Sequence, residues 1–284
     1  MLFDQYSNVL QVGVKTRVYS TATGHPKGEE NMERKRDSLY ASTLARGLQI
    51  LRAFDESHVA LSLTDLVART GLEKSAVQRM AHTLHVEGML DRDPKSRLYR
   101  PSHAWLELAY AYYWSDPLIA RALPKLIEFS RAMGETVNLA QISGDHIIYS
   151  LRLPNQRTHF AASIVGRRLP ALNTASGRVM LSTRSDEEIG HACSRWPLVQ
   201  ATRKTLMDRS DIARHIKSAR EDGFCITRDQ MLLNEISLAA PVRGTDGQAH
   251  AAVQISISGI AFNEKQVLER FLPSLLDTAA GILG

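Results

Sequence analysis

Residues 61–90 read LSLTDLVARTGLEKSAVQRMAHTLHVEGML, two short amphipathic segments on either side of Thr70-Gly71-Leu72. Apolar residues recur in each segment at three- or four-residue spacing, the pattern of a helix that packs against a core. They are Leu63, Leu66 and Val67 in the first segment, and Val77, Met80, Ala81 and Leu84 in the second. Gly71 stands where a tight turn between two helices needs a left-handed backbone. The stretch is typical of a helix–turn–helix.

The sequence on both sides extends this motif. Before it, Leu44, Leu48, Leu51 and Phe54 recur at helical spacing and predict a further helix with that side on the core. After it, MLDRDPKSRLYR (residues 89–100) places two β-prone stretches around Asp93-Pro94-Lys95-Ser96, which predicts a hairpin with a basic tip. A helix, a helix–turn–helix and a hairpin in this order predict a winged helix–turn–helix.

An aromatic segment follows, HAWLELAYAYYWS at residues 103–115, and it reads as a helix. Asp116 and Pro117 then favour the start of another helix, as its N-cap and first residue. One isolated helix cannot bury its large aromatic side chains, which are Trp105, Tyr110, Tyr113 and Trp114. We therefore predict a linker that also contributes to a dimer interface.

Beyond Met133 the pattern changes to strands and helices. A hairpin is predicted around Gly144-Asp145, with HFAASIV (159–165) as a third strand, and helices near 185–195 and 209–222. FCITRD, ISLAAPVRG and AHAAVQISISG read as strands, the last two joined at Asp246-Gly247, and Asn263 begins a final helix. Hairpins and helices on an antiparallel sheet predict an α+β domain.

Composition limits the class of protein. The 284 residues suit two domains. The net charge of +5 is spread evenly, so a nucleic-acid partner must be argued from local pattern. Two cysteines exclude a disulfide framework and a cysteine-based zinc module. We find neither a secretory signal nor an apolar run of the ~20 residues that a bilayer requires, so we expect a cytoplasmic protein without a membrane partner.

The outward positions of the second helix of the motif are the candidate DNA contacts. They are Lys74, Ser75, Gln78 and Arg79. Glutamine and arginine can pair with base edges in the major groove, whereas serine and lysine suit phosphates or single bases. Lys95 and Arg97 at the hairpin tip are placed to reach the neighbouring backbone. The alternative is an ordinary solvated helix face, which the agreement of turn, spacing and basic hairpin makes the weaker interpretation.

Four stretches stand out in order from about residue 40: STLARGLQILRAF, the helix–turn–helix stretch, RRLPALNTASGRVML and EDGFCITRDQMLLNEISLAAPVRGTDGQAHAAVQISISG. In all four the chain resembles the IclR family of bacterial transcriptional regulators. The resemblance implies a winged helix–turn–helix at 38–101, a linker helix at 102–116 and an α/β GAF-like effector-binding domain with an antiparallel sheet at 117–284. Residues 1–37 lie outside it and read as a flexible arm, or as a tail that touches phosphates through Arg34, Lys35 and Arg36.

The resemblance also implies partners. Members bind double-stranded promoter DNA at pseudo-palindromic sites as dimers or tetramers, which makes a nucleoid-associated homo-oligomer the expectation and RNA polymerase a further candidate partner. The arginines of the family's first helix and recognition helix match Arg46 and Arg79. Arg46 has a second interpretation as a simple surface charge. No cofactor is implied.

The resemblance further implies a small organic acid as effector, with the loop before a helix holding its carboxylate. Here that loop contains Ala175, Ser176 and Gly177. Backbone N–H groups at a helix start and the Ser176 hydroxyl would form an anion site. The alternative is structural: Thr174 caps the helix and Gly177 is needed for packing.

Other family pocket positions match Thr227, Ser237, Ser256 and Ser258, the last two on one face of a strand. Thr227 replaces an aspartate and Ser237 a cysteine of members that sense small 2-oxo acids. The loss of a carboxylate removes repulsion against an acidic ligand. VGRRLPALNTASG (165–177) is most similar to regulators of aromatic-acid catabolism, so we expect an aromatic carboxylate or a dicarboxylate. Arg152, His159 and Arg228 are candidate counter-charges, or else ordinary surface residues.

No enzyme motif is present: we find no G-x-S-x-G, P-loop, G-x-G-x-x-G or H-E-x-x-H. His82 and His85 share a helix face, but no further ligand completes a metal site. Cys225 lacks an identifiable base, and we read it as a buried small residue. We expect a ligand-responsive regulator of a catabolic operon that is not an enzyme. The alternative is a metabolite-binding or catalytic sensor-domain protein whose helix–turn–helix no longer binds DNA.

Overall fold

The computed structural model describes residues 39–155 and 165–282. In its first part, helices α1 (Ser42–Leu51), α2 (Leu63–Thr70) and α3 (Lys74–Val86) precede an antiparallel hairpin of β1 (Leu90–Arg92) and β2 (Tyr99–Pro101). This is the predicted winged helix–turn–helix. The chain divides into two compact units between Tyr112 and Tyr113. The arm predicted for residues 1–37, with its three basic residues, lies outside the described residues.

Local sequence fixes both ends of α2. The Ser62 hydroxyl accepts the Asp65 backbone N–H at 3.2 Å, and the Asp65 carboxylate accepts the Ser62 backbone N–H at 2.9 Å, which forms a capping box. At the other end, Gly71 has φ of 68°, a left-handed conformation that glycine adopts at low cost. The predicted turn between α2 and α3 is confirmed.

The core of the first unit lies between its helices and the hairpin. Its buried members are Ile50, Ala53, Phe54, Leu61, Leu66, Val77, Ala81, Leu90 and Tyr99. The prediction that Leu44 and Leu48 lie on the core side of α1 is wrong, because they are 64% and 42% exposed. The helical period was correct, but the side of α1 that meets the core runs through Gly47 and Ile50. Leucine spacing alone could not reveal that Gly47 belongs to the buried side.

Helix α4 (Ala104–Ser115) contains no buried residue, but aromatic side chains in it, among them Trp105 and Tyr113, have partners within the chain. The Trp105 indole donates to the Met89 carbonyl at 2.9 Å and stands edge-on to Phe54. The Tyr113 hydroxyl donates to the Ser150 carbonyl at 2.8 Å. The expectation that all four aromatics need a second subunit is therefore wrong for Trp105 and Tyr113. Tyr110 and Trp114 are 66% and 78% exposed.

The second unit is built on one antiparallel sheet with strand order β5-β4-β3-β8-β7-β6. Its helices and strands in chain order are α5 (Pro117–Met133), β3 (Thr136–Ser143), β4 (His146–Leu153), β5 (Arg168–Pro170), α6 (Ala175–Leu181), α7 (Asp186–Arg195), α8 (Arg209–Asp222), β6 (Cys225–Arg228), β7 (Glu235–Arg243), β8 (Ala249–Ser258) and α9 (Glu264–Gly281). The predicted hairpins and helices of this unit are confirmed. The third strand predicted at 159–165 falls on residues 156–164, which are not described, apart from Val165 in a turn.

The two faces of this sheet differ in chemistry. One face is mostly apolar and lies under α5 and α9, which together bury a large hydrophobic core including Leu139, Leu238, Ile255, Phe271 and Leu275. The other face is apolar near α6, through residues such as Ala140, Tyr149 and Ala252, but becomes polar toward one end. A polar patch on a buried sheet face must be hydrogen-bonded internally or hold a ligand.

Helix α6 is buried on every side, between the sheet and the pair α7 and α8. A Cβ atom on Gly177 would lie 2.1 Å from the carbonyl oxygen of Ala171, which belongs to a single 3-10 turn over Ala171–Asn173. Only glycine permits this approach. Within the described residues, none of the helices combines the length and hydropathy that a bilayer span requires.

Candidate functional site

Helix α3 presents the predicted DNA-reading side chains to solvent. Lys74, Ser75, Gln78 and Arg79 are exposed, while Val77 and Ala81 on the other side are buried in the core. The helix is thus held by its apolar side and leaves its polar side accessible. This arrangement suits insertion of the first turns of α3 into a major groove.

Three further cations predicted for DNA are also exposed. Arg46 lies on α1, and Lys95 and Arg97 lie at the hairpin tip. The tip is shaped by Asp93, whose carboxylate accepts the backbone N–H groups of Lys95 at 2.9 Å and Ser96 at 2.6 Å. These hydrogen bonds keep the pKa of Asp93 below its ordinary value. The hydrogen bond to Lys95 involves only its backbone N–H group, and its exposed side chain stays available for a phosphate.

The polar end of the sheet in the second unit encloses a small cavity of about 20 Å³. Its lining combines sheet residues with residues of the loops above them: Tyr149, Asn173, Thr174, Thr227, Gln230, Met231, Glu235, Ser237 and Gln254. A cavity of this size holds about one water molecule. Of the predicted effector-binding residues, Thr227 and Ser237 line it.

Gln254 organises the hydrogen bonds behind this cavity. Its carboxamide oxygen accepts the Tyr149 hydroxyl at 2.7 Å and the Ser176 hydroxyl at 3.0 Å. Its nitrogen donates to the hydroxyl oxygens of Ser237 at 3.0 Å and Ser256 at 3.2 Å. Both acceptor positions and both N–H groups of the carboxamide are therefore used. This buried residue joins strands β4 and β7 to helix α6.

Glu235 places a carboxyl group in the same cavity, where it accepts the Ser237 hydroxyl at 3.0 Å. Burial raises the pKa of Glu235, and the Ser237 hydrogen bond with the charges of Arg152 and Arg167 offsets part of this rise. Thr227 itself brings no carboxyl group, but Glu235 on the neighbouring strand places one in the cavity. The absence of repulsion against an acidic ligand stays a prediction.

The start of α6 agrees with the structural interpretation, in which Thr174 caps the helix and Gly177 is needed for packing. The Thr174 hydroxyl accepts the Gly177 backbone N–H at 3.0 Å, so this N–H is already bonded within the chain. Gly177 is required by its contact with Ala171, and Ala175 is fully buried in an apolar cluster. The Gly177 N–H is therefore not free to bind an anion, which corrects its assignment to the anion site. An anion site that uses the other N–H groups of this turn stays a prediction.

The remaining predicted effector residues lie around the cavity but do not line it. Ser176 is fully buried and bonded to Gln254. Ser256 is half-buried, and Ser258, two residues further along β8, is exposed at the end of the strand. The period-two pattern correctly placed both serines on the side of Gln254, but it could not indicate where the strand leaves the core.

The candidate counter-charges occupy different surroundings. Arg152 is half-buried and donates to the side-chain oxygen of Asn138 at 2.9 Å, and burial lowers its pKa. Arg228 donates to the Gly259 carbonyl at 2.8 Å and lies 3.7 Å from the carboxylate of Asp229. His159 lies outside the described residues. The fully buried Arg178 on α6 was not considered from the sequence.

Two loops next to the cavity are bonded to each other. The buried carboxylate of Asp229 accepts from the Lys204 ammonium at 2.9 Å and from the Asn234 backbone N–H at 2.5 Å. The Asn173 side chain both donates to and accepts from the backbone of Val199, at 2.7 and 3.1 Å. The segment 199–206 is therefore bonded to the loop 229–234, which lines the cavity through Gln230 and Met231 and is called its loop cover below.

Sequence reasoning missed most of the cavity. The residues it did not name are Tyr149, Asn173, Gln230, Met231, Glu235 and Gln254. A signal was present in two strands, because Glu235 and Ser237 in β7 and Gln254 and Ser256 in β8 place polar residues at alternate positions of otherwise apolar strands. The loop residues offered no comparable pattern.

Two other groups considered from the sequence, Cys225 and His85, lie in structural surroundings. Burial raises the pKa of Cys225 to about 11, so its thiol stays protonated. The His85 ring nitrogen lies 2.9 Å from the Leu90 carbonyl oxygen. No group of three metal-ligating side chains occurs within residues 39–155 and 165–282.

Comparison with known proteins agrees with this two-unit organisation. The chain matches the IclR helix-turn-helix domain over residues 43–94 and the bacterial transcriptional regulator IclR C-terminal domain over residues 110–283. It is 32% identical to the Pca regulon regulatory protein of Pseudomonas putida over 241 residues, which are 84% of this chain and 82% of that protein.

Two further relatives are informative. The p-hydroxybenzoate hydroxylase transcriptional activator of Acinetobacter baylyi is 26% identical over 262 residues, covering 90% of this chain and 94% of that protein. The crystal structure of an IclR homologue from Microbacterium hydrocarbonoxydans, complexed with 4-hydroxybenzoate, superposes with a TM-score of 0.69 at 22% identity, covering 84% of this chain and 97% of that one. The named relatives of the chain are transcriptional regulators and not enzymes. With family matches in both units, the chain belongs to the IclR family of bacterial transcriptional regulators.

Proposed function

We propose that this regulator reads promoter DNA through the exposed side of α3, assisted by Arg46 and the hairpin tip, and that an aromatic carboxylate held in the cavity of the second unit controls its DNA affinity. The observation that carries the DNA half is the separation of α3 into a buried apolar side and an exposed polar side. Gln78 and Arg79 lie in its first turns, where base edges are read in this class of domain.

Replacement of Arg79 by alanine is expected to weaken specific DNA binding by about 1–3 kcal/mol, because a guanidinium that pairs with a guanine edge is lost. Genomic fragments selected by the full-length protein provide the operator, and gel-shift titration at fixed salt measures the affinity. Arg121→Ala, an exposed arginine on α5, is the matched control for the loss of one positive charge. Equal operator affinity of Arg79→Ala and Arg121→Ala would remove Arg79 from the interface.

Three considerations support an aromatic acid as effector. The relatives named above include a transcriptional activator for p-hydroxybenzoate hydroxylase and a structure with 4-hydroxybenzoate bound. The cavity joins apolar side chains, Tyr149 and Met231, to a ring of hydrogen-bonding groups, the combination found in small-molecule sites. Cationic side chains also lie nearby, among them the half-buried Arg152.

An aromatic ring needs more room than the cavity offers, so binding requires its lining to move. Met231 lies in the loop 229–234 and has a flexible side chain, which suits it to this movement. A ligand that binds the open arrangement of this loop cover more tightly than the closed one shifts the protein toward the open arrangement. The size of the shift is set by the difference between the two binding free energies. The effector thereby acts on DNA binding only if the open and closed arrangements differ in DNA affinity.

Replacement of Thr227 by isoleucine is expected to lower effector affinity about tenfold or more, because the added methyl group fills part of the cavity. Calorimetry with a panel of aromatic and aliphatic acids identifies the ligand and measures its affinity. Thr227→Val, which keeps the size of threonine, is the control for the lost hydroxyl. Undiminished binding in Thr227→Ile would place the effector elsewhere, whereas unchanged operator binding is expected in both variants.

The remaining features of the proposal concern assembly. We assign the DNA-binding domain to residues 38–101, the linker to 102–116 and the effector domain to 117–284. A homodimer or tetramer would place two α3 helices in successive major grooves of a pseudo-palindromic promoter site. Such a regulator acts in the bacterial cytoplasm at the nucleoid, with RNA polymerase as a further partner.

A further inference from the structure

Arg178 is a buried cation without a carboxylate partner. Its side chain is 1% exposed and lies within helix α6. Its Nε–H donates to the Leu172 carbonyl at 2.8 Å, and one terminal N–H group donates to the Gln230 carboxamide oxygen at 3.1 Å. Both acceptors are neutral, and no carboxylate among the described residues forms an ion pair with this guanidinium.

The titratable groups around Arg178 are neutral as well. They are the thiols of Cys193 and Cys225 and the imidazole of His215. Burial raises the pKa of both thiols, and burial together with the charge of Arg178 lowers the pKa of His215. At neutral pH none of these three groups carries a negative charge that would balance the guanidinium. A buried charge is costly unless an opposite charge accompanies it, so this environment favours an anion.

Gln230 occupies the position where that anion would bind. Its carboxamide oxygen receives two N–H groups, one from Arg178 and one from the Leu206 backbone, each at 3.1 Å. This is the donor arrangement that one carboxylate oxygen accepts. Gln230 also lines the cavity, so its side chain contacts both Arg178 and the proposed effector site.

We propose that the carboxylate of the effector replaces the Gln230 carboxamide oxygen and pairs with the Arg178 guanidinium and the Leu206 N–H. Gln230 is then an internal substitute that satisfies both donors until an acid displaces it. The inference rests on the proposed function, because it assumes an acidic effector in this cavity. It selects Arg178 over Arg152, which lies near the carboxyl of Glu235, and over Arg228, which lies near Asp229.

The first test compares the affinity of the protein for a carboxylate ligand with its affinity for the neutral amide of the same shape. We expect wild-type protein to bind 4-hydroxybenzoate more tightly than 4-hydroxybenzamide in calorimetry, and Arg178→Met to reduce this preference about tenfold or more. Arg228→Met is the matched control and should keep the preference. Full preference in a folded Arg178→Met protein, or its loss in Arg228→Met alone, would overturn the inference.

A second measurement needs no ligand. In Gln230→Glu the new carboxylate would lie between the same two donors, so its Tm should exceed that of Gln230→Met. The increase should disappear when Arg178→Met is added to both, because the carboxylate then has no cation. No increase in Gln230→Glu would refute the proposed pairing. Failure of 4-hydroxybenzoate to bind wild-type protein, alongside the Tm increase, would instead count against this ligand in the proposed function.

Discussion

Replacement of Gly177 by alanine is expected to destabilise the second unit by about 3 kcal/mol or more, near the upper end of overpacking effects. The new Cβ would lie 2.1 Å from the Ala171 carbonyl oxygen, a backbone atom that cannot turn aside like the end of a side chain. Helix α6 is buried on every side, so it has no direction in which to retreat. Denaturant unfolding of the full-length protein measures the loss.

Gly190 provides the matched control for this substitution. It lies in the interior of α7, is exposed, and has no atom within 4 Å of an added Cβ. Gly190→Ala should therefore stabilise the protein by about 0.5–1 kcal/mol through helix propensity. Equal and small effects at the two positions would show that the contact between α6 and the turn before it can relax freely.

Replacement of Gln254 by methionine is expected to cost about 2–4 kcal/mol of stability, since it removes the shared acceptor of two buried hydroxyl groups. Tyr149 and Ser176 would keep their O–H donors without the oxygen that now accepts both, at 2.7 and 3.0 Å. Methionine has nearly the shape of glutamine, so loss of packing contributes little. Thermal and denaturant unfolding measure this effect, and calorimetry should show loss of effector binding.

Gln200, exposed in the loop before α8, is the control for this change. Gln200→Met should leave stability within about 0.5 kcal/mol of wild type, as expected for a surface position. A Gln254→Met protein as stable as Gln200→Met would mean that the buried hydroxyl groups find other acceptors, and that Gln254 does not organise the site.

The architecture was accessible from sequence because each element carries its own local signal. The hairpin of β3 and β4 follows from alternating strands around Gly144-Asp145, and α9 begins where Asn263 caps it, with its side chain accepting the Gln266 N–H at 3.0 Å. The phase of α1 was wrong, since Leu44 and Leu48 are exposed. Which side of a short helix meets the core depends on tertiary contacts that spacing does not encode.

The site was less accessible for a related reason. The exposed residues of α3 follow from helical periodicity, because a single element supplies them all. The cavity instead joins β4, β6, β7 and β8 to two loops, and Gln230 and Asn173 come together only through the folded chain. Glu235 shows the consequence: it brings a carboxyl group into the cavity from the strand next to Thr227, and a comparison position by position does not detect it.

The unequal faces of the sheet also bear on how such regulators diversify. Most of the aliphatic core lies under α5 and α9, whereas the cavity-forming side chains are on the opposite face. Substitutions that alter ligand preference can therefore accumulate without eroding that core. A lineage can acquire new effectors in this way, and a laboratory library at the cavity positions that spares Gln254 should yield folded biosensors at high frequency.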